Sequence, residues 1–250
     1  MKAIAVVGTS GTGKTTVCQT IISGLRKRGF SVGSVKEIDC KEFTIDTNPD
    51  VDTRKHKAAG SSLVTARARH ETDILYQKKL PVEQILMHYN HDYVILEGVA
   101  DCNVPIIITA QNAGQINDKK DCRAIAVSGV IAKTGIKEAE GLPVINALKE
   151  PDALTDFVLN HAFEPLPSFN AQCCFACSYG CRELAGLIAH KKAGRGDCVL
   201  TAPEIKLLIN GRSIEMVPFV QSILKNAVTG VIKELSGYSG DSDIEIRFKT

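Results

Sequence analysis

Short apolar runs alternate with segments of helical periodicity along the first two thirds of the chain. The run KAIAVV at residues 2–7 ends at a glycine, and from Lys14 onward Val17, Ile21 and Leu25 recur at the spacing of a helix face. This order predicts a strand, a loop and a helix. An alternation of strands and helices is typical of α/β proteins with a mostly parallel sheet.

Five further apolar runs predict the remaining strands of this sheet. They are GFSVGSV at 29–35, DYVILEG at 92–98, VPIIITA at 104–110, CRAIAVSGV at 122–130 and LPVIN at 142–146. The run YVIL is apolar throughout, as expected for a strand buried on both faces of a parallel sheet. PDALTDFVLNHA at 151–162 predicts the last helix. Together these elements predict a doubly wound α/β domain over residues 1–163.

The last third of the chain has a different organisation. FEPLPSF at 163–169 is predicted to be a linker, because its two prolines resist both helix and central strand. A cysteine-rich segment at 170–200 follows. Residues 201–250 predict a small α+β extension that packs with it: a hairpin turning at Asn210-Gly211, a helix over about 218–235, and a final strand at DIEIRF.

Composition narrows the class of protein. The 250 residues are 44% hydrophobic and 23% charged with a net charge of +2, so no global field favours nucleic acid or a membrane. The apolar run at the start stops at Gly8, too short for a signal peptide, and no uninterrupted apolar run reaches the roughly 18 residues of a spanning helix. We therefore expect a cytoplasmic protein, in which the nine cysteines are reduced.

The most specific motif is G-x(4)-G-K-[ST], which lies between the first predicted strand and helix. Gly11 and Gly13 let the backbone curl so that several N–H groups point at one anion, and the helix dipole adds to that field. Lys14 would neutralise the β- and γ-phosphates, and Thr15 would bind Mg²⁺. The predicted nucleotide-binding residues are Gly8, Thr9, Ser10, Gly11, Thr12, Gly13, Lys14, Thr15 and Thr16.

Acidic and basic residues near predicted strand ends are the next candidates. Glu97 ends a buried strand and is the expected second ligand of Mg²⁺, since a carboxylate there is costly to bury without a cation. Asp46 and Asp52 follow the second strand and can reach the metal or an attacking water. The basic run from Arg54 to His70 is either a solvated helix face or a grip on a phosphate or an anionic substrate.

Five segments in this order resemble the MobB family, the P-loop proteins of molybdopterin guanine dinucleotide biosynthesis: VVGTSGTGKTT, VKEID, FTIDT, DTRKHKAAG and VILEG. The resemblance covers residues 1–163. It implies GTP binding, slow hydrolysis and a homodimer. The resemblance implies that the functional residues are Lys14, Thr15, Asp46, Asp52, His56 and Glu97. We expect Lys14, Asp46 and Glu97 to serve catalysis, and Asp52, Arg54 and His56 to hold phosphate or substrate. ATP remains the alternative nucleotide, because no N-K-x-D element that reads guanine is present.

The cysteine-rich segment suggests a second chemistry. Cys174-x(2)-Cys177-x(3)-Cys181-x(16)-Cys198 supplies three thiolates from one loop and a fourth after a helix, a compact set that suits a cubane. It resembles the four-cysteine [4Fe-4S] domain of electron-transfer and corrinoid iron–sulfur proteins. One spacer is a residue shorter here, so Cys173 can replace Cys174 as the first ligand. Four thiolates also suit tetrahedral zinc, which is the alternative metal.

These predictions combine into one functional interpretation. The chain is interpreted as a GTP-binding P-loop protein that makes or delivers a molybdenum or tungsten pterin cofactor, with a [4Fe-4S] cluster for redox gating or docking. Its expected partners are the molybdopterin cofactor and either a molybdenum or tungsten oxidoreductase or another cofactor-biosynthesis protein. Two alternatives remain: a nucleotide-driven electron-transfer protein, and a non-enzymatic adaptor with a structural zinc.

Overall fold

The computed structural model describes residues 1–40, 43, 51–168, 177–200, 205, 207–209, 212–214, 216–236 and 244. Four predicted features lie outside these residues: Asp46, the cysteine pair 173–174, the Asn210-Gly211 turn, and all but Ile244 of the DIEIRF strand. Among the described residues, none of the helices combines the length and the apolar character that a membrane span requires.

Strands and helices alternate along most of the described chain. The strands are β1 (Lys2–Val7), β2 (Val32–Lys36), β3 (Leu63–Arg67), β4 (Thr72–Tyr76), β5 (Tyr93–Glu97), β6 (Ile106–Thr109), β7 (Ala124–Ser128), β8 (Glu138–Ala139), β9 (Leu142–Pro143), β10 (Leu207–Ile209) and β11 (Arg212–Ile214). The α-helices are α1 (Lys14–Lys27), α2 (Asp52–Ala58), α3 (Val82–Leu86), α4 (Ala113–Asn117), α5 (Pro151–His161), α6 (Cys181–Ala189) and α7 (Pro218–Ile232). Short 3-10 helices occupy Ile131–Thr134 and Arg195–Asp197.

The central sheet has five parallel strands in the order β2-β5-β1-β6-β7. β1 is therefore the middle strand, and the carboxyl ends of β1, β2 and β5 meet at one edge of the sheet. This confirms the predicted α/β class with a mostly parallel sheet. The arrangement brings the loop after β1 next to the residues that end β2 and β5.

Both faces of the sheet are covered, as the continuous apolar runs predicted. On one face α1 and α5 bury a cluster with β1 and β5, and Val17, Ile21 and Leu25 of α1 are its predicted contacts. On the other face Val82 of α3 and Ile116 of α4 pack against the sheet. The loop after β1 thus follows a strand whose residues 3–7 are all buried.

Two local predictions differ from the structure. LPVIN does not form a full sheet strand, because Pro143 has no N–H for a ladder; Leu142–Pro143 pairs with β8 and Val144 only bridges Val127. The basic run from Arg54 is not one helix face, since it divides at Gly60 into α2 and the β3–β4 hairpin. The predicted C-terminal hairpin is confirmed by the antiparallel pairing of β10 with β11.

The proline-rich stretch and α6 pack directly on the sheet. Phe163 bridges Ala3 of β1, and Leu166 is 2% exposed and bridges Asn103. Leu184, Ala185 and Ala189 of α6 join the same buried cluster as α1 and α5. Apolar burial rather than a free linker therefore determines where the described part of the cysteine segment lies.

Gly186 of α6 packs closely against Cys122, which lies just before β7, and it provides a test of this packing. A Cβ at Gly186 would lie 2.7 Å from the Cys122 carbonyl oxygen and 2.8 Å from its Cβ. We expect Gly186→Ala to lower the free energy of unfolding by about 1–2 kcal/mol, because overpacked backbone must shift. Urea unfolding measures this change.

Gly230 in the last turn of α7 is the matched control for this substitution. A Cβ there would meet nothing within 4 Å. Gly230→Ala is expected to be neutral or to stabilise by up to about 1 kcal/mol, since alanine is the better helix former. Equal stability of the Gly186 and Gly230 variants would contradict the close packing of α6.

Candidate functional site

The loop between β1 and α1 has a backbone that favours glycine at three positions, Gly8, Gly11 (φ +74°) and Gly13. Gly8 has φ +156°, and a Cβ there would lie 2.3 Å from the carbonyl oxygen of Thr109. Gly13 has φ +96° in the left-handed region and is the N-cap of α1. The glycines predicted from the motif therefore permit a tight turn that directs the start of α1 toward the cavity.

Thr12 holds this loop against the sheet from inside. Its side chain is fully buried, and its Oγ1 donates to the Thr9 carbonyl oxygen at 2.8 Å and lies 2.7 Å from Thr109 Oγ1. Its own carbonyl oxygen accepts from the Val130 N–H at 3.0 Å. Among the predicted nucleotide-binding residues, Thr12 thus supports the loop with its side chain rather than lining the cavity.

Lys14 is the first residue of α1, and its side chain folds back onto the preceding loop. Its ammonium donates to the carbonyl oxygens of Gly8 at 3.0 Å and Thr9 at 2.7 Å. These two carbonyl oxygens therefore hold the positive charge of Lys14 beside the loop, in the wall of the cavity. An incoming phosphate would meet this charge together with the N–H groups at the start of α1.

Thr15 and Glu97 meet at the base of the cavity. The Thr15 hydroxyl donates to Glu97 Oε1 at 2.6 Å. The Lys36 ammonium lies 3.3 Å from the same oxygen, because Lys36 and Glu97 are register partners on the adjacent strands β2 and β5. Glu97 is only 9% exposed. A hydroxyl and a carboxylate at this distance are hard oxygen ligands suited to Mg²⁺.

These groups line a cavity of about 960 Å³, which is large enough for a nucleotide. Its walls are formed by residues Gly8, Thr9, Ser10, Gly11, Gly13, Lys14, Thr15, Thr16, Lys36, Glu37, Ile38, Asp39, Glu97, Gly98 and Lys119. Lys36 and Lys119 were not among the predicted site residues. The position of Lys36 at the end of a strand was a usable signal, whereas Lys119 follows α4 without any motif.

Other predicted residues lie elsewhere or outside the described chain. Asp52 begins α2, is exposed, and pairs with Lys55 at 3.0 Å. Neither Asp52 nor Arg54 or His56 is among the described residues that line the cavity. Asp46 lies outside the described residues. The roles assigned to these four residues remain predictions.

Three of the candidate metal-binding cysteines are described. Cys177, Cys181 and Cys198 form no disulfide, and Cys181 is the first residue of α6. Cys198 is 4% exposed in the buried cluster, against which Cys177 also packs. Within the described ranges no three His, Cys, Asp or Glu side chains are grouped closely enough to hold a metal ion. With Cys173 and Cys174 undescribed, the metal site remains a prediction.

Cys18 and Cys102, which lie outside the cysteine-rich segment, are buried core residues. Cys18 on α1 and Cys102 are 4% and 2% exposed. Burial raises the pKa of each thiol to about 12. Cys18 therefore remains a neutral thiol at physiological pH, although it lies one turn after Lys14, and it is no candidate nucleophile.

Comparison with known proteins agrees with this geometry. A family model described as molybdopterin guanine dinucleotide synthesis protein B matches residues 3–131. The matched stretch includes the glycine-rich loop between β1 and α1, Lys36, Glu97 and Lys119. It thus contains every described group that lines the cavity.

Two curated relatives differ in how much of the chain they share. A putative molybdopterin-guanine dinucleotide biosynthesis adapter protein of Methanocaldococcus jannaschii is 25% identical, over 98% of this chain and 97% of the relative. A probable adapter protein of the same description from Bacillus subtilis is 24% identical, over 63% of this chain and 91% of the relative. The archaeal alignment therefore extends through the cysteine-rich segment.

A solved structure supports the fold. The crystal structure of Bacillus subtilis MobB superposes with a TM-score of 0.54 at 21% identity, covering 64% of this chain and 96% of that one. At this identity the likeness concerns the architecture alone. Since the family model matches more than half of the residues, the chain belongs to the MobB family of molybdopterin guanine dinucleotide synthesis proteins.

Proposed function

We propose that this protein is an adapter of molybdopterin guanine dinucleotide biosynthesis that binds Mg²⁺ and GTP in the cavity beside β1. The observation that carries the proposal is the 2.6 Å contact between Thr15 and Glu97 at the base of a glycine-rich loop. The names of the two adapter relatives support the biological task. GTP is preferred to ATP because the cofactor of those names is a guanine dinucleotide.

The chain's own residues define how the nucleotide would be held. N–H groups at the start of α1 would bind the phosphates, Lys14 would move from the loop carbonyls to the β- and γ-phosphates, and Thr15 with Glu97 would ligate the metal. Mg²⁺ would neutralise phosphate charge and fix the phosphate geometry. Slow hydrolysis belongs to the same proposal, with Asp46 as the group that orients water.

Calorimetric titration of the purified protein with GTP and with ATP tests this function. We expect GTP to bind more tightly in Mg²⁺ than in EDTA, because the metal joins the phosphates to Thr15 and Glu97. Tighter binding of ATP than of GTP would overturn the guanine preference. Absence of binding by either nucleotide would overturn the proposed function.

Glu97→Gln tests the proposed Mg²⁺ ligands, Thr15 and Glu97, separately from the phosphate-binding loop. The amide keeps the shape of the side chain but removes the charge that Mg²⁺ prefers, so the gain in GTP affinity from Mg²⁺ is expected to fall by about tenfold or more. Affinity in EDTA should not fall, because the variant loses a negative charge beside the phosphates and frees Lys36 from its ion pair. The control is Glu37→Gln, which removes a carboxylate from the same cavity wall, and an equal loss in both variants would contradict the assignment.

We also propose that Cys174, Cys177, Cys181 and Cys198 hold a [4Fe-4S] cluster, with Cys173 as the substitute first ligand. The support is the spacing of the four thiols and the absence of disulfides among the described cysteines. The cluster would serve docking to an iron–sulfur target or redox gating of nucleotide binding. Gating predicts different GTP affinities for the oxidised and the reduced protein.

Anaerobic purification with metal analysis tests the cluster. About four irons per chain are expected, the content of one cubane. Cys198→Ser should lower this content, whereas Cys40→Ser changes an exposed cysteine outside the set and should not. Zinc in place of iron, or no metal, would contradict the proposal.

The proposed assembly is a homodimer that meets a molybdenum or tungsten oxidoreductase or a cofactor-biosynthesis protein. Its support is the family resemblance. Light scattering coupled to size-exclusion chromatography gives the mass directly, and a mass of one 27.0 kDa chain would contradict the dimer.

A further inference from the structure

The carboxylate of Glu97 has two partners on one oxygen. Oε1 accepts from Thr15 at 2.6 Å and lies 3.3 Å from the ammonium of Lys36. The side chain of Glu97 is 12% exposed, so its charge needs such partners. Lys36 thus supplies the positive charge that neutralises Glu97 in this structure.

A divalent cation and the Lys36 ammonium cannot both bind Oε1 of Glu97 closely. Mg²⁺ needs its oxygen ligands at about 2.0–2.1 Å, and two positive charges so close repel each other strongly. Lys36 can leave, because its side chain is 56% exposed on a flexible four-carbon stem. It also lines the same cavity as the phosphate-binding loop, so its ammonium can turn toward a bound phosphate.

The charge of the expected ligand provides a place for the displaced ammonium. A nucleoside triphosphate carries about four negative charges near neutral pH, and Glu97 adds about one more once Lys36 has left it. Mg²⁺ and Lys14 together would bring about three positive charges, so about two negative charges would remain in the cavity that Lys36 lines. Glu37 is a poorer destination, since it already contacts Lys79.

We propose that Lys36 is a phosphate-binding residue that exchanges partners: it pairs with Glu97 in the free protein and moves to the triphosphate when the metal takes Glu97. This inference rests on the proposed binding of Mg²⁺ and nucleotide. It adds a second lysine to the phosphate site. It also couples the binding of the metal at Glu97 to the contact between Lys36 and the triphosphate.

A purely structural role for Lys36 predicts the opposite change in nucleotide affinity when Lys36 is substituted. In that case Lys36 only neutralises a buried carboxylate, and its removal frees Glu97 for the metal. The affinity for Mg²⁺ with GTP would then stay the same or rise. Partner exchange predicts a lower affinity, because the complex lacks a charge-assisted hydrogen bond to phosphate.

The experiment compares Lys36→Met with Lys119→Met by calorimetric titration of a non-hydrolysable GTP analogue, in Mg²⁺ and in EDTA. Lys119→Met removes the same charge from the same cavity and measures the general effect of that loss. In Mg²⁺ we expect Lys36→Met to weaken binding by about tenfold beyond the control. In EDTA the two variants should weaken binding equally, since Lys36 then remains with Glu97.

Each other outcome has a defined meaning. Unchanged or tighter binding by Lys36→Met in Mg²⁺ overturns the inference, and so does an equal extra loss with and without Mg²⁺. Lys36→Gln, which retains a donor for Glu97 without the charge, should reproduce the loss and replaces Lys36→Met if that variant does not fold. Failure of the unmodified protein to bind the analogue overturns the proposed function instead.

Discussion

Lys14→Ala is expected to weaken the binding of GTP in Mg²⁺ by about a hundredfold or more. Hydrogen bonds to charged groups contribute about 1.5–3 kcal/mol each, and this ammonium is placed to contact two phosphates. The folded structure should persist, because water can replace the ammonium as the hydrogen-bond partner of the Gly8 and Thr9 carbonyl oxygens. Calorimetric titration measures the affinity, and thermal unfolding checks the fold.

Lys27→Ala is the matched control for this prediction. Lys27 ends the same helix, is exposed, and lies at the end of α1 away from the loop. The substitution removes one positive charge and should leave the affinity for GTP within about twofold, since exposed charges beyond a Debye length of about 8 Å are screened. A similar loss in both variants would show that general charge, not the position of Lys14, determines binding.

The glycine-rich loop and the buried acid Glu97 were predictable because each leaves a local pattern in the sequence. The spacing of Gly8, Gly13 and Lys14 records a backbone turn that few other residues permit, and the structure has that turn. Glu97 was recognisable as an acid that ends an apolar strand. Its contact with Thr15 follows from the adjacency of β1 and β5 in the sheet.

The pairing of Lys36 with Glu97 needed the sheet order, which local patterns do not contain. β2 and β5 are neighbours although 56 residues separate Lys36 from Tyr93, the first residue of β5. The docking of α6 has the same origin, since Gly186 packs against Cys122, which is distant in the sequence. Short-range periodicity therefore predicted the strands and helices, whereas the contacts between distant elements, such as Lys36 with Glu97, depend on long-range packing.

The packing of Arg123 provides the largest expected effect on stability. Arg123 is 2% exposed, and its guanidinium donates to both carboxylate oxygens of Asp121 and to the carbonyl oxygens of Ala100 and Cys102. Arg182 of α6 lies 3.6 Å from Asp121. One carboxylate thus neutralises a buried arginine and contacts the helix that carries Cys181.

Asp121→Asn is expected to lower the free energy of unfolding by about 3 kcal/mol at neutral pH, because it leaves the buried guanidinium of Arg123 without its counter-ion. Burial raises the pKa of Asp121, but the hydrogen bonds and charge of Arg123, with the charge of Arg182, outweigh it and hold the pKa below the usual 3.8. The stabilisation is therefore present above pH 3.8 and is lost as the pH falls through the lowered value.

The difference in stability between the unmodified protein and Asp121→Asn should consequently shrink in strongly acidic solution, where the unmodified carboxyl also becomes neutral. Urea unfolding at neutral pH and at a series of acidic pH values measures this convergence. Asp118→Asn, an exposed aspartate in the same connection between β6 and β7, should change stability by less than about 0.5 kcal/mol. A loss at Asp121 that does not depend on pH would mean that packing, rather than the charge of the carboxylate, holds Arg123 in place.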